Sequence, residues 1–331
     1  MAKILVTGGA GYVGSHCARE LVRAGHEVTT FDNLSQGHAD AASGELVVGD
    51  LRDRQAVDAV LSRGFDCVLH FAALMAVGES VDHPVDYFDV NVGGTLNLLI
   101  AMRQHGCDKL VFSSTCAVYG EPAHVPITET TPHAPISPYG ETKATVEAIL
   151  ANARRVGEVQ SVCLRYFNAC GASEDGHLGE AHFPESHVIP VAFERLIHGK
   201  PFAVFGTDYP TPDGSCVRDY VHVLDLADAH LRAVEHLLAG GQGGAWNLGS
   251  GRGYSVLELI AAVERVTGRQ FSDIKREPRR PGDPPELVAA PAKVAADLGW
   301  RTTRDLDVIL ADAWRWFQAP RFGPGTTSRE R

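Results

Sequence analysis

Short apolar runs alternate with segments of helical spacing along the first half of the chain. Strands are predicted where apolar and β-branched residues stand together, at residues 3–7, 27–31, 46–48, 67–71, 109–112 and 161–165. Helices are predicted where apolar residues recur every three or four positions, at residues 13–24, 53–61, 87–104 and 139–155. Because strands and helix-length segments alternate, right-handed crossovers are expected between the strands. The pattern therefore predicts an α/β fold with a doubly wound parallel sheet.

The second half of the chain has a different character. Glycine and proline cluster at residues 171–190, 209–214 and 278–285. Short predicted strands at residues 202–205, 246–248 and 287–289 are interleaved with predicted helices at residues 188–198, 225–238, 255–266 and 305–317. We predict that residues 1–170 form the first domain and that residues 171–320 mainly form a smaller α+β domain. The two are interleaved, because residues 215–250 are expected to return to the first domain. Residues 321–331 are polar and are predicted to be a frayed tail.

Composition narrows the class of protein. The 331 residues are 44% hydrophobic and 21% charged, with a net charge of −11 and no basic stretch that could follow a phosphate backbone, so nucleic-acid binding is not expected. The seven cysteines are odd in number and form no CxxC motif, which disfavours a disulfide framework or a cysteine zinc site. The longest apolar run, residues 67–78, is too short to span a membrane, and the first residues lack a secretory signal. A cytoplasmic location is expected.

A glycine-rich turn follows the first predicted strand. Residues 6–14 read VTGGAGYVG, and Gly8, Gly11 and Gly14 would allow a tight turn, close approach to a pyrophosphate and close packing of helix on strand. By itself such a triplet can be an ordinary flexible turn. The second strand, however, ends in Asp32, whose carboxylate suits ribose hydroxyls and repels a 2′-phosphate, so NAD is favoured over NADP. Asp50 and Leu51, after the third strand, could contact adenine.

A candidate catalytic pair lies at the start of a predicted helix. Tyr139 and Lys143 are four residues apart and therefore share one helix face. A free tyrosine, with a pKa of about 10, is a poor base at neutral pH, but a nearby ammonium and an oxidised nicotinamide would both lower that value. The fifth strand leads into residues 113–115, where the Thr115 hydroxyl could bond the reacting oxygen. Tyrosine and lysine at this spacing also occur on ordinary solvated helices, so the pair gains weight only from its context.

Together these motifs resemble the extended short-chain dehydrogenase/reductase superfamily, and within it the UDP-glucose 4-epimerases. Further stretches carry the likeness: HFAA at 70–73, AVGES at 76–80, RYFN at 165–168, FGTDY at 205–209, VRDYVHV at 217–223 and residues 279–283. The likeness extends from the N-terminus to about residue 316. It implies a Rossmann-type NAD-binding domain over residues 1–170, a UDP-sugar-binding domain mainly over 171–320, and a homodimer joined through the helices at 87–104 and 139–155.

The resemblance also implies site residues. Tyr139 would be the base, Lys143 its electrostatic partner and the anchor of the nicotinamide ribose, and Thr115 the hydroxyl near the sugar. The expected cofactor contacts are Gly8, Gly11, Tyr12, Val13, Gly14, Asp32, Asn33, Asp50, Leu51, Phe71, Ala72, Asn91, Lys143 and Phe167. The expected contacts with the UDP-sugar are Asn168, His187, Val188, Ala203, Val204, Phe205, Arg218, Arg280, Asp283 and Leu287.

The chain departs from the family pattern at identifiable positions. Many members carry lysine where this chain has Met75, and a cofactor contact would be missing there. Many carry serine where it has Thr115, which keeps the hydroxyl. His177, His182 and His187 are five residues apart in a glycine-rich loop, and we interpret that loop as a cap over the substrate rather than a zinc site. No metal is predicted.

The residues after the fifth strand bear on the reaction. The related 4,6-dehydratases carry acidic residues where this chain has Cys116 and Ala117, so dehydration is disfavoured, and decarboxylation likewise. The favoured function is inversion of carbon 4 of UDP-glucose or UDP-galactose through a 4-keto intermediate. The alternatives are a 4-epimerase of UDP-N-acetylglucosamine or of UDP-xylose and UDP-arabinose, and a silent nucleotide-sugar binding protein. Leu287 stands where some members have tyrosine in the pocket wall, which leaves room for an N-acetyl group.

Overall fold

A computed structural model describes residues 1–280 and 282–323. Its strands are β1 (Lys3–Thr7), β2 (Glu27–Asp32), β3 (Glu45–Val48), β4 (Cys67–His70), β5 (Lys109–Thr115), β6 (Gln160–Tyr166), β7 (Asn168–Cys170), β8 (Phe202–Phe205), β9 (Val217–His222), β10 (Gly244–Leu248), β11 (Gly253–Ser255), β12 (Ile274–Glu277) and β13 (Glu286–Leu287). Seven of them form a parallel sheet in the order β10-β6-β5-β4-β1-β2-β3. The predicted doubly wound parallel sheet is confirmed.

Helices cover both faces of this sheet. They are α1 (Tyr12–Arg23), α2 (Arg54–Leu61), α3 (Val77–Asp82), α4 (Pro84–Phe88), α5 (Gly94–Gln104), α6 (Pro138–Arg155), α7 (Val188–Ile197), α8 (Val223–Leu238), α9 (Val256–Thr267), α10 (Ala292–Leu298) and α11 (Leu306–Gln318). Ile4 and Val6 of β1 pack in one core with α1 and α8, whereas Leu5 packs in the other with α2, α5 and α6. Burial on both faces explains why these strands read as continuous apolar runs.

The helix predicted at residues 87–104 differs from expectation. The chain is already helical from Pro84, and a π-helical turn over Asp89–Gly93 joins α4 to α5. Asn91 lies in the middle of that turn and is buried. Wide turns of this kind often occur at functional sites.

The smaller unit is built on short strands that the sequence pattern only partly predicts. β7, β9, β11 and β13 form one small sheet, and β8 pairs with β12. The strand β9 was not predicted, because its run VRDYVH contains charged residues that turn out to be buried. A core of α7, α9 and α11, with Phe193, Leu259 and Ile309 at its centre, supports these strands.

Two predictions near the end of the chain need correction. The strand predicted at residues 287–289 is Glu286–Leu287, followed by a single bridge between Ile127 and Ala289. The tail predicted to be frayed includes Phe322, which is buried against Trp316 at a ring distance of 4.8 Å. The remainder of that tail, residues 324–331, lies outside the described residues. Within the described residues, no helix combines the length and the apolar character that a membrane crossing requires.

Candidate active site

The turn between β1 and α1 brings backbone groups so close together that only glycine fits. Gly8 has φ +70°, and a Cβ atom there would lie 2.5 Å from the backbone nitrogen of Ala72. A Cβ atom on Gly14 would lie 2.2 Å from the carbonyl oxygen of Gly8. Gly11 is the N-cap of α1, and no side chain caps this end of the helix. The first backbone N–H groups of α1 are therefore available to an anion such as a pyrophosphate.

Asp32 ends β2 beside this turn. Its buried carboxylate accepts hydrogen bonds from the backbone N–H groups of Ala10, at 3.0 Å, and Leu34, at 2.8 Å. No lysine or arginine of the described chain forms an ion pair with it. Such a carboxylate can accept from ribose hydroxyls and would repel a 2′-phosphate, which fits NAD.

The residues expected around adenine are held in place by hydrogen bonds and packing within the protein. The Asn33 amide donates to Asp50 at 2.9 Å, and the Arg52 guanidinium, which the sequence analysis did not identify, hydrogen-bonds the same carboxylate. This partner holds the pKa of Asp50 well below its usual range. The Leu51 side chain is buried in the core with α2 and α5, so only its backbone faces the strand ends.

Asn91 fixes the segment that follows β4. Its amide accepts from the Leu74 backbone N–H at 2.8 Å and donates to the Leu74 carbonyl and to the Thr142 hydroxyl, each at 3.0 Å. The Phe71 ring packs on His230 at 4.8 Å, and the Ala72 N–H donates to Thr7 at 3.1 Å. These bonds join the glycine turn, the loop after β4 and helix α6 into one wall.

The remaining predicted cofactor residues, Tyr12, Val13 and Phe167, make contacts within the protein. The Tyr12 hydroxyl donates to the Gly171 carbonyl at 2.7 Å, and Val13 packs beside the core of α1. Phe167 is buried with Val118 in a small cluster after β5.

Tyr139, Lys143 and Thr115 converge at the carboxyl end of β5. Ser137 caps α6, so Tyr139 lies in the first turn of the helix. The Lys143 ammonium lies 5.9 Å from the Tyr139 ring centre and donates to the Ser113 carbonyl at 2.9 Å. Thr115 caps the next turn and hydrogen-bonds the Tyr139 phenol. The three side chains that the sequence nominated as catalytic are therefore neighbours.

Burial dominates the protonation of this group. It raises the pKa of Tyr139 to about 12, although the hydrogen bond with Thr115 opposes the shift. It lowers the pKa of Lys143 to about 7, against the attraction of Glu147. The sequence predicts that Lys143 lowers the tyrosine pKa, but the protein's own groups leave the phenol protonated at neutral pH. A positive charge near the phenol would be needed to shift this balance.

A buried polar network behind Lys143 was not anticipated. Glu147, one turn further along α6, receives hydrogen bonds from the Ser114 hydroxyl and from Arg165, whose Nε lies 2.9 Å from its Oε1. Arg165 also donates to the Tyr119 hydroxyl at 2.7 Å. A glutamate four residues after Lys143 on an inward-facing helix side was the available signal. The network fixes α6 against β5 and β6 and so holds Lys143 in place.

Two arginines lie where the resemblance places the diphosphate of a UDP-sugar. Arg218 of β9 is buried, donates to the Val217 carbonyl at 2.8 Å and pairs with Asp283. The Arg280 guanidinium lies 3.9 Å from the centre of the Phe205 ring. Guanidinium groups suit diphosphates because they donate in a fixed, forked geometry.

Other predicted substrate residues surround these arginines. Asn168 begins β7 and is paired with Tyr220 of β9, and Leu287 of β13 is opposite Arg218. Ala203 is half-buried on β8, but the Val204 side chain is buried in the core of α7 and α9. Val204 could therefore contact a substrate only through its backbone.

His187 and Val188 mark the start of α7. His187 is the N-cap and Val188 the first helical residue. The His187 ring pairs with the buried carboxylate of Glu180, and this partner raises the pKa of the imidazole to about 9. The ring is thus directed toward Glu180, a residue that the sequence analysis did not nominate.

The parallel sheet, the glycine turn and the Tyr139–Lys143 pair define a dinucleotide-binding enzyme of the short-chain dehydrogenase type. The chain belongs to the NAD dependent epimerase/dehydratase family, whose model matches residues 4–249. Similar proteins include the UDP-glucose 4-epimerase of Rhizobium meliloti (strain 1021), which is 50% identical over 95% of this chain and 96% of its own length. The UDP-glucose 4-epimerase of Halalkalibacterium halodurans is 46% identical over 99% of both chains.

Solved structures show the same likeness. UDP-glucose 4-epimerase from Brucella ovis, in complex with NAD, superposes with a TM-score of 0.92 at 45% identity and covers 96% of this chain and 98% of its own. The enzyme from Stenotrophomonas maltophila, with bound NAD and formylated UDP-arabinopyranose, gives a TM-score of 0.93 at 40% identity over 96% and 98%. The predicted family membership is confirmed.

Proposed function

We propose that this chain inverts the configuration of carbon 4 in a UDP-hexose, interconverting UDP-glucose and UDP-galactose, with NAD as its cofactor. The observation that carries the proposal is the convergence of Tyr139, Lys143 and Thr115 at the end of β5. The similarity to UDP-glucose 4-epimerases over nearly the whole chain supports the same function.

The residues present fit NAD. The glycine turn packs so closely that a Cβ atom on Gly14 would lie 2.2 Å from the Gly8 carbonyl oxygen, and the Asp32 carboxylate ends the neighbouring strand at the same edge of the sheet. In this assignment Gly8, Gly11 and Gly14 receive the pyrophosphate, Asp32 the adenosine ribose, and Lys143 the nicotinamide ribose. When bound, NAD supplies the acceptor and later the donor for the hydrogen removed from carbon 4.

Tyr139 moves the proton. Its phenolate form takes the proton of the 4-hydroxyl, and the phenol returns it after the 4-keto sugar has turned its other face toward the cofactor. Thr115 holds the reacting oxygen through its hydroxyl. In its protonated form Lys143 places an ammonium beside the phenol, and this charge and that of an oxidised nicotinamide would both oppose the effect of burial.

The substrate region holds the nucleotide and leaves the sugar free to turn. Arg218 and Arg280 would neutralise the diphosphate. The Arg218 guanidinium would then bind the diphosphate and Asp283 at the same time. Asn168 and the start of α7 at Val188 would complete this side. Firm contacts to UDP and few contacts to the hexose are what a rotating 4-keto intermediate requires.

The chemistry after β5 argues against dehydration. A 4,6-dehydratase needs a carboxyl acid and base at the positions of Cys116 and Ala117. Burial raises the pKa of the Cys116 thiol to about 12, so this side chain is neutral and has no carboxylate to offer. Alanine cannot transfer a proton at all. The site is therefore equipped to remove and return one proton at the 4-hydroxyl of the sugar.

Two further properties belong to the proposal. A homodimer is supported by an apolar surface on α3, α4 and α5, where Val81 and Val85 are 62% and 78% exposed and Phe88, Leu96 and Ile100 are also exposed. A cytoplasmic location agrees with the seven free, buried cysteines, which suit a reducing compartment.

The test is a coupled assay that measures UDP-glucose formed from UDP-galactose. Tyr139→Phe should lower turnover by about 10²–10⁴-fold, because general base catalysis contributes on that scale. Binding of UDP, followed by calorimetry, and the content of bound NAD should be unchanged. Tyr254→Phe, in the other half of the chain, is the matched control. Wild-type turnover in Tyr139→Phe, or no conversion by the wild-type protein, would refute the assignment.

A further inference from the structure

The loop between β7 and α7 gathers four side chains that suit a metal ion. Glu180, His182, Glu185 and His187 each offer one ligand atom, and these atoms all lie within 4.8 Å of one another. They belong to a single stretch of eight residues, 180–187, which reads EAHFPESH. His177, which the spacing of the histidines had placed with them, is exposed and pairs instead with Asp175.

Charge and burial set this group apart from an ordinary surface cluster. The side chains of Glu180 and His182 are only 7% and 9% exposed. Within the described residues, neither Glu180 nor Glu185 has a lysine or arginine as an ion-pair partner; their partners are His182 and His187. Two neighbouring carboxylates thus lack any permanently charged counter-ion.

One atom in the cluster is unsatisfied. His182 Nδ1 is buried and forms no hydrogen bond in the described part of the chain, although it lies 3.3 Å from Glu180 Oε1. A buried imidazole nitrogen without a hydrogen-bond partner is uncommon, because its desolvation is then uncompensated. The nitrogen faces the same carboxylate as the His187 ring. A cation at this point would satisfy the nitrogen and both carboxylates together.

We propose that Glu180, His182, Glu185 and His187 bind one divalent transition-metal ion, with Zn²⁺ as the best match. Imidazole nitrogen and carboxylate oxygen are ordinary zinc ligands, at about 2.0–2.2 Å. Tetrahedral ligands at that range are separated by about 3.3–3.6 Å. The four ligand atoms, which all lie within 4.8 Å of one another, therefore need shifts of about an ångström to reach that spacing.

The ion would join the start of α7 to the part of the loop that packs beside the glycine turn. His187 caps α7, whereas the His182 ring packs edge-on against Tyr12 at 6.2 Å, beside the glycine turn. The neighbouring Ala181 carbonyl contacts His38 Nε2 at 2.8 Å. A metal at this position would hold the start of α7 against the first domain. Its role would be structural, and the proposal does not depend on the proposed epimerase activity.

Zinc binding to the full-length protein tests this inference directly. The protein would be stripped with a chelator, dialysed and titrated with ZnCl₂ by calorimetry. One equivalent should bind, and the melting temperature should rise when zinc is restored. His182→Ala and Glu180→Gln should weaken this binding by at least about 10–100-fold, since loss of even an outer partner has that effect. His177→Ala, in the same loop, should bind as the wild-type protein does.

Two further measurements guard against misfolding and surface binding. Glu185→Gln changes a less buried ligand and should also weaken binding, and circular dichroism checks the fold of each variant. Co²⁺ added to the wild-type protein should give the intense visible absorption of a tetrahedral site, and Zn²⁺ should displace it. Absence of stoichiometric zinc binding, absence of the cobalt spectrum, or equal weakening in His177→Ala would each overturn the proposal.

Discussion

The glycine turn and the Arg218–Arg280 pair are each proposed to hold a diphosphate, but they are built differently. The turn offers backbone N–H groups at the start of α1, and its shape depends on glycines that touch neighbouring backbone. The arginine pair offers charged groups at the ends of long side chains, one paired with Asp283 and one packed on the Phe205 ring. A cofactor that stays bound suits the rigid site, whereas a substrate that must leave suits the adjustable one. Substitutions in the two regions should therefore fail in different ways.

The largest effect is expected in the rigid region. In Gly14→Ala the new Cβ atom would lie 2.2 Å from the Gly8 carbonyl oxygen, so the backbone has to move. The purified variant should have lost most of its bound NAD, measured as nicotinamide released on denaturation. Gly78→Ala is the control, because a Cβ atom there meets nothing within 4 Å. Full NAD content in Gly14→Ala would show that the turn is more adaptable than its contacts indicate.

A smaller and separate effect is expected in the adjustable region. Arg218→Ala removes a charged donor, and hydrogen bonds to charged groups contribute about 1.5–3 kcal/mol. The KM for the UDP-sugar should rise by about 10–100-fold while the NAD content stays unchanged. Arg279→Ala is the control, since that arginine is exposed and pairs with Asp208 at 2.8 Å. Loss of NAD from Arg218→Ala would erase the distinction between the two regions.

Lys143 belongs to neither region, and the cost of burying its charge should be measurable in the stability of the protein. Its folded pKa of about 7 is below the value of about 10.4 for an unfolded lysine, so above pH 7 the unfolded chain binds more protons. The unfolding free energy of protein stripped of NAD should rise with pH in this window. The lysine contributes about 1–2 kcal/mol to that rise between pH 7.0 and 8.5. Denaturant titrations of wild type and Lys143→Met check this: the variant should show a rise smaller by that amount. If the unfolding free energies of the two proteins depend equally on pH, Lys143 keeps its proton in the folded state.

What could be predicted from the sequence follows the same division. The glycine turn, Asp32 and the Tyr139–Lys143 spacing are local patterns whose geometry follows from one strand, one turn or one helix. The Glu147–Arg165 pair and the unsatisfied nitrogen of His182 depend on contacts between distant segments, which periodicity does not encode.

The same reasoning explains the elements that were missed. The strand β9 was not predicted because its buried Arg218 and Asp219 find partners far along the chain, at residues 250, 251, 283 and 289. The π-helical turn at Asp89–Gly93 leaves the apolar spacing of the helix almost unchanged, so the pattern showed one continuous helix. Long-range pairing and local irregularities in winding are the parts of the site that only the structure supplies.

A further effect is expected on the size of the sugar accepted in the adjustable region. Leu287 is half-buried on the short strand β13, beside Arg218 of β9. Where related enzymes have tyrosine, leucine leaves more room beside the 2-substituent, so UDP-N-acetylglucosamine should be a secondary substrate. Leu287→Tyr should reduce the kcat/KM for this sugar relative to UDP-glucose by about 1–3 kcal/mol, because a pocket wall discriminates small groups on that scale. Leu287→Met, of nearly the same volume, should leave the ratio unchanged. If the wild-type protein does not convert the N-acetylated sugar, or if the tyrosine variant discriminates no better than the wild type, residue 287 does not determine which sugar is accepted.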